Sequence, residues 1–274
     1  MRDVPARGPA ASFGRIAAMF LRHFYLMTSS WPRVLEIVYW PTVQVVLWGF
    51  IALWLARRDS PFAEASGLFL SAVLLWDTFF RSQLGVSTSL LEELWARNLG
   101  HLFISPLRPY ELVAALFAMS LVRTSIGVGG AALLAVPIHG FDVTEVLGPL
   151  LVLFFGGNLL FGWALGLIVC GLVLRLGLAA ENLAWALVFL IQPVSAVYYP
   201  LEVLPPWLQQ LATILPSVHV FEGMRALLLE GRFDGSALLS AYALDAAWMG
   251  IAAATFLALF ASARRHGLLL QVGE

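Results

Sequence analysis

The chain has 274 residues, 60% of them hydrophobic and 12% charged, with mean hydropathy +0.85 and a formal net charge of −1. A soluble domain carries about twice that charged fraction, so an ordinary water-soluble enzyme is excluded. The near-neutral charge offers no basic excess for a phosphate backbone, which argues against nucleic acid as a partner.

All 16 basic residues are Arg and none is Lys, so a P-loop lysine, a Schiff-base lysine and a lysine general base are excluded together. Near the start, Phe13, Ile16, Ala17, Phe20, Leu21 and Phe24 recur at helical spacing, with Arg15, Arg22 and His23 off that stripe. That pattern predicts a helix lying on a membrane surface, apolar face down. A cleaved signal peptide would need an unbroken apolar stretch, which Arg15 and Arg22 interrupt. Residues 1–34 are read as an N-terminal segment built on this interfacial helix.

A helix rises about 1.5 Å per residue, so about 20 apolar residues cross the hydrocarbon core. Six stretches qualify: residues 37–56, 65–86, 111–136, 146–174, 182–199 and 237–263. The fourth carries no charge, whereas the second holds Asp77 and Arg81, the third Arg123 and the sixth Asp245. The predicted fold is an all-α membrane protein whose six transmembrane helices occupy residues 35–263, followed by a tail at 264–274.

Two stretches are not simple spans. Across residues 87–109, Leu90, Leu91, Leu94, Trp95 and Leu99 form an apolar stripe, Glu92, Glu93 and Arg97 mark its polar side, and Ser105-Pro106 ends it. A short amphipathic helix over about 87–106 is expected there, either as an interfacial connector or as a docking element for a cytoplasmic subunit. Residues 198–233 are too apolar for a loop in water, and Pro200, Pro205, Pro206 and Pro216 cut them into pieces too short to span. Such pieces dip into the membrane and return where protein or a water-filled cavity satisfies their backbone. A re-entrant hairpin between the fifth and sixth spans is therefore expected.

Cytoplasmic loops retain positive charge. With both termini inside, the cytoplasmic set is Arg2, Arg7, Arg15, Arg22, Arg33, Arg81, Arg97, Arg108, Arg175, Arg264 and Arg265, against Arg57, Arg58, Arg225 and Arg232 outside, or 11 against 4. An intramembrane charge costs about 2.5–3.5 kcal/mol on insertion scales and usually has a partner. Asp77 and Arg123 fall near mid-depth and Asp245 nearer the outside, so an Asp77–Arg123 or Arg123–Asp245 pair is expected, with Arg81, four residues after Asp77, as a local competitor. Gly162 and Gly166 give the spacing of a helix-packing seam. The five His form no HExxH and no cluster with the single Cys170, so no metal site is expected.

Leu204-Pro205, Leu215-Pro216, His219, Glu222 and Arg225 resemble the end of the membrane subunit of ABC-2 type exporters, which include capsular-polysaccharide and lipooligosaccharide exporters. Residues 93–98, with Glu93, Trp95, Arg97 and Asn98, followed by Ser105-Pro106-Leu107, look like that family's coupling helix. The order of elements is similar too. The resemblance implies a transport subunit rather than an enzyme, with Glu92, Glu93, Trp95, Arg97 and Asn98 coupling it to a separate ABC ATPase subunit. It implies no cofactor in this chain, since ATP and Mg would be bound by that partner, and a second permease copy, identical or related, in the bilayer. The implied location is the bacterial cytoplasmic (inner) membrane, multi-pass. The cargo class implied is a lipid-linked polysaccharide or lipooligosaccharide, with a drug, antibiotic or lipid as the alternative. A polytopic membrane enzyme is the rival from another class, although no GxSxG or convergent carboxylate cluster points to one.

Overall fold

The computed structural model describes residues 8–57 and 66–268. Arg2, Arg7 and Arg58 of the orientation count, and residues 269–274 of the tail, lie outside the described residues. Eleven α-helices follow in order: α1 Pro9–Thr28, α2 Trp31–Ala56, α3 Ser66–Trp95, α4 Leu99–Ile104, α5 Pro109–His139, α6 Val143–Leu147, α7 Leu150–Leu176, α8 Glu181–Ile191, α9 Pro206–Ala212, α10 Pro216–Glu230 and α11 Gly235–Arg265. Among the described residues there is no strand.

Four helices, α2, α5, α7 and α11, are long and apolar enough to cross a membrane. A fifth crossing exists if α9 and α10, bent by 101° to each other, count as one broken element. The α3 helix is long enough, at 30 residues, but it carries a polar row of Ser82, Gln83, Ser87 and Ser89, all fully buried. Protein rather than lipid surrounds that row: α3 packs along both α5 and α7. Most of its hydroxyls turn back onto their own helix, Thr78 to the Leu74 carbonyl, Ser82 to Phe79, Thr88 to Leu84 and Ser89 to Gly85, whereas the buried Ser71 hydroxyl has no hydrogen-bond partner among the described residues.

Close backbone approaches set the helix directions. A Cβ at Gly162 would lie 2.6 Å from the Phe79 carbonyl oxygen, and one at Gly166 would lie 2.8 Å from that of Gln83. The Gly162–Gly166 stripe is thus the seam between α3 and α7, which run parallel. Gly171 lies against Phe256 of α11 in the same sense, whereas Gly127 of α5 meets the Ile37 carbonyl of α2 and the Arg81 side chain. So α2 and α5 run one way, and α3, α7 and α11 the other. Phe79, Phe154, Phe161 and Phe221 fill one core cluster, and Leu90, Leu91, Leu112 and Val173 a second nearer α1.

Two expectations are corrected. Nothing breaks the chain between Val86 and Trp95, so α3 continues to Trp95 and residues 87–95 are its last turns rather than a separate helix. Only the six-residue α4 lies beyond. The stretch 182–199 forms an 11-residue helix and a 3-10 turn at Gln192–Val194; the helix rises about 16 Å, well short of a bilayer core of about 30 Å. In α1, Met19, His23 and Met27 are buried against the bundle, while Phe13 and Leu21 of the apolar stripe are exposed on its surface.

Replacing Gly162 by Ala should lower the thermal midpoint of the purified chain, since overpacking costs about 1–3 kcal/mol and the new methyl would meet the Phe79 carbonyl and the Ser82 hydroxyl. Gly129→Ala, where the space is open, should leave the midpoint unchanged or higher; a thermal melt of both variants checks this.

Candidate functional site

The charges inside the bundle are partnered differently from the pairing expected. Asp77 Oδ2 accepts a 2.6 Å bond from Arg81 Nε, one turn away on α3. Arg123 of α5 reaches Glu92 near the end of α3, at 3.1 and 3.2 Å, and lies 3.4 Å from the Thr88 hydroxyl. Neither the Asp77–Arg123 nor the Arg123–Asp245 pair forms: a carboxylate one turn away reaches Arg81 without crossing between helices, and Glu92 lies at the level of Arg123. Asp245 is 2% exposed, and among the described residues neither of its oxygens is hydrogen-bonded. Its helix is pinned nearby, with Tyr242 donating to the Leu153 carbonyl and Trp248 Nε1 to that of Ile214.

Around the Asp77–Arg81 pair, α2, α3 and α8 bring aromatic side chains together. Trp48 stacks on Tyr198 with ring centres 4.5 Å apart, and Tyr198 Oη lies 3.4 Å from Gln192 Nε2. Phe80 packs against Trp185 and Phe189, both exposed. Gln44 is exposed one helical turn before Trp48, on the same stripe of α2. Ion pair, amides and open aromatic faces therefore share one side of the bundle. Of the deep aromatics, Trp76, Phe79, Phe154 and Phe161 are core residues, whereas Phe80, Phe155 and Trp163 are only partly buried. Trp48, Tyr198, Gln192 and Gln44 were not singled out by sequence. The signal available was a lone amide in an uncharged span, with Trp at i+4.

The proline-divided stretch is built around Arg225, 6% exposed on α10. Its guanidinium donates to the carbonyls of Ala196 and Tyr199, with Val197 at 3.4 Å, and to Glu222 Oε1 at 2.6 Å. The same Glu222 oxygen accepts the Leu201 amide at 2.7 Å, so one ion pair holds the irregular backbone after α8. Pro200 precedes the 3-10 turn Leu201–Val203, while Pro205 precedes α9. Pro206 and Pro216 open α9 and α10, where a missing N–H costs nothing. His219 bonds the Thr213 carbonyl at 2.9 Å, closing the bend between α9 and α10. Residues Pro200, Glu222 and Arg225 are thereby brought together, with His219 one turn away.

At the far end of α3, Glu93 is fully buried and bonded by Arg22 at 2.7 and 3.1 Å and by Asn98 Nδ2 at 2.6 Å. Arg15 binds Glu111 of α5 at 2.6 and 2.8 Å. These carboxylates raise both guanidiniums above their ordinary pKa through hydrogen bonds to the charged form. Glu92 and Glu93, read from the sequence as coupling residues, hold α5 and α1 respectively, through Arg123 and Arg22. Trp95 is half exposed, and Arg97 is exposed with φ 54°, a conformation that favours glycine. Among the described residues no three His, Cys, Asp or Glu side chains converge as metal ligands.

Several long apolar helices in one all-helical chain are compatible with a multi-pass membrane protein. No protein-family model matches the chain, and no curated protein matches it by sequence.

Arg225→Met should release residues 195–205, because removing one partner of a buried ion pair costs about 3–5 kcal/mol and three carbonyls lose their donor. Glu222→Gln keeps an acceptor for the Leu201 amide and should loosen the segment less. Hydrogen exchange across residues 195–205 distinguishes the two.

Proposed function

We propose that this chain is the permease subunit of an ATP-driven ABC-2 type exporter. The observation that carries the reading is α3: one unbroken helix, about 45 Å long over its 30 residues, holds the Asp77–Arg81 pair inside the bundle and, about 27 Å farther on, ends at the exposed turn of Trp95 and Arg97. A subunit pressing on that turn would move the interior. In this reading α2, α3, α5, α7 and α11 cross the bilayer, and α8 to α10 form the re-entrant sixth element, with both termini cytoplasmic in a bacterial inner membrane. A separate ATPase, holding ATP and Mg, would dock on Trp95, Arg97 and α4, with Glu92, Glu93 and Asn98 bracing that turn from within. A second permease copy would complete the path.

For the cargo, Trp48, Tyr198, Phe80, Trp185 and Phe189 offer faces on which sugar rings can stack, and Gln44 and Gln192 offer amides. A groove of about 930 Å³ along α2, lined by Trp31, Leu35, Tyr39, Leu47 and Phe50 among others, suits an acyl chain. Together they favour an amphipathic, lipid-linked glycan. The wholly apolar character of the α2 groove supports a second reading, a drug, antibiotic or lipid exporter.

Co-purification of the tagged chain from its native membrane should recover a P-loop ATPase. Arg97→Gly relieves a left-handed residue, which costs about 1–2 kcal/mol for a non-glycine, so it should raise the thermal midpoint yet weaken ATPase association. Unchanged association would remove Arg97 from the docking surface. Failure to recover any ATPase while other membrane complexes survive would overturn the exporter reading.

A further inference from the structure

One ionisable group near the α1 end is not used by the reading above. His23 of α1 is completely buried, and among the described residues neither ring nitrogen has a hydrogen-bond partner. Nδ1 lies 3.8 Å from Glu92 Oε2 and Nε2 lies 3.8 Å from Glu93 Oε1. The ring therefore stands between two carboxylates, one at each nitrogen. A neutral imidazole has one N–H and one lone pair, so either tautomer would turn a lone pair toward a carboxylate. Only the imidazolium presents a donor to both.

The other charges around the ring come from each element packed there. Arg22 on α1 bonds Glu93, Arg123 on α5 bonds Glu92, and Asn98 after α3 bonds Glu93. Farther along α1, Arg15 is taken up by Glu111 of α5. On α2, Arg33 donates to the Leu26 carbonyl, and Glu36 is exposed. Two guanidiniums thus balance the two carboxylates, and the proton on His23 is the one charge left to vary.

We infer that His23, Glu92 and Glu93 form a proton-binding site that latches the N-terminal helix to the end of α3. With the proton bound, both 3.8 Å gaps can close as charge-assisted hydrogen bonds, and α1 is held. Without it, one nitrogen lone pair faces a carboxylate in a buried setting, and α1 loosens. The attraction is present while the ring holds its proton and is lost when the proton leaves, so it weakens as pH rises. The inference is independent of the exporter reading, since it concerns only this chain.

The test is hydrogen exchange of the full chain in lipid nanodiscs, with rates corrected for the intrinsic effect of pH. Amides of residues 9–28 in the wild type should lose about tenfold protection between pH 5.5 and pH 8, while those of α7 stay constant. His23→Gln, which cannot bind the proton, should abolish that pH dependence and leave α1 at the looser level throughout. An NMR titration of the His23 ring in the wild type should follow the same midpoint. A pH-independent α1 in the wild type, an unchanged dependence in His23→Gln, or a ring that stays neutral at pH 5.5 would each overturn the latch. A His23→Gln chain with disturbed α7 protection would be misfolded, and the ring titration of the wild type then decides the question alone.

Discussion

A helix as polar as α3 persists at the centre of an apolar bundle only if each hydroxyl, amide and charge it carries meets protein rather than hydrocarbon. An unsatisfied polar group there costs several kcal/mol. The sequence answers in two ways. Serines and threonines bond back to the carbonyl three or four residues earlier. Glycines at 85, 162 and 166 let α5 and α7 come close enough to seal the row, with Ser120 donating across to the Ser82 carbonyl at 2.8 Å and Asn158 to the Leu75 carbonyl at 3.1 Å. Close helix approach and buried polarity are one arrangement: small residues permit the contact, and the contact supplies the partners.

The ion pairs divide by position along α3. In the middle, Asp77 and Arg81 belong to the same helix, so their bond survives any rigid displacement of α3. At the α1 end the pairs join different helices: Arg22 to Glu93, Arg123 to Glu92 and Arg15 to Glu111. Cross-helix charge is thus concentrated at one end, where α1 bridges the residues just before α4 and those just after it. The helix read from its periodicity as lying at the membrane surface also ties the α3–α5 connection, through Arg22 to Glu93 and Arg15 to Glu111.

Sequence reading found the elements where a single physical signal governed. Most of the uncharged stretch 146–174 lies in α7, which begins at Leu150, the prolines at 206 and 216 opened α9 and α10, and the Gly162–Gly166 stripe became a seam. It failed where two signals competed. Charge pattern suggested that Glu92 and Glu93 face water, yet their partners lie 31 and 71 residues away, in Arg123 and Arg22, and no local pattern encodes that pairing. Hydropathy made residues 182–199 a span, but the helix ends at Ile191, just before Pro193, which has no N–H to continue it, and Arg225, on a later helix, supplies donors to the carbonyls of Ala196 and Tyr199 in the irregular backbone beyond. Arg225 and Glu222 were legible as members of a motif; their structural work was not, since it depends on a contact across more than 20 residues.

These placements constrain which parts can move together. At Gly162 and Gly166 the backbones of α7 and α3 come close with no long side chain between them, and at Gly171 the Phe256 backbone and the Leu259 side chain of α11 fill the space, so sliding these helices against one another would force a clash. Contacts around α8 include rings: Phe80 of α3 is tilted against Trp185 and Phe189 of α8, and Trp48 of α2 stacks on Tyr198 beyond α8. Ring faces shear at little cost, and the individual contacts are weak. A force on the exposed turn at Trp95 and Arg97 would therefore be carried by α3, α7 and α11 as a block, and would open or close the bundle along the aromatic side. The ion pairs at the α1 end are cross-helix interactions that such a tilt would stretch.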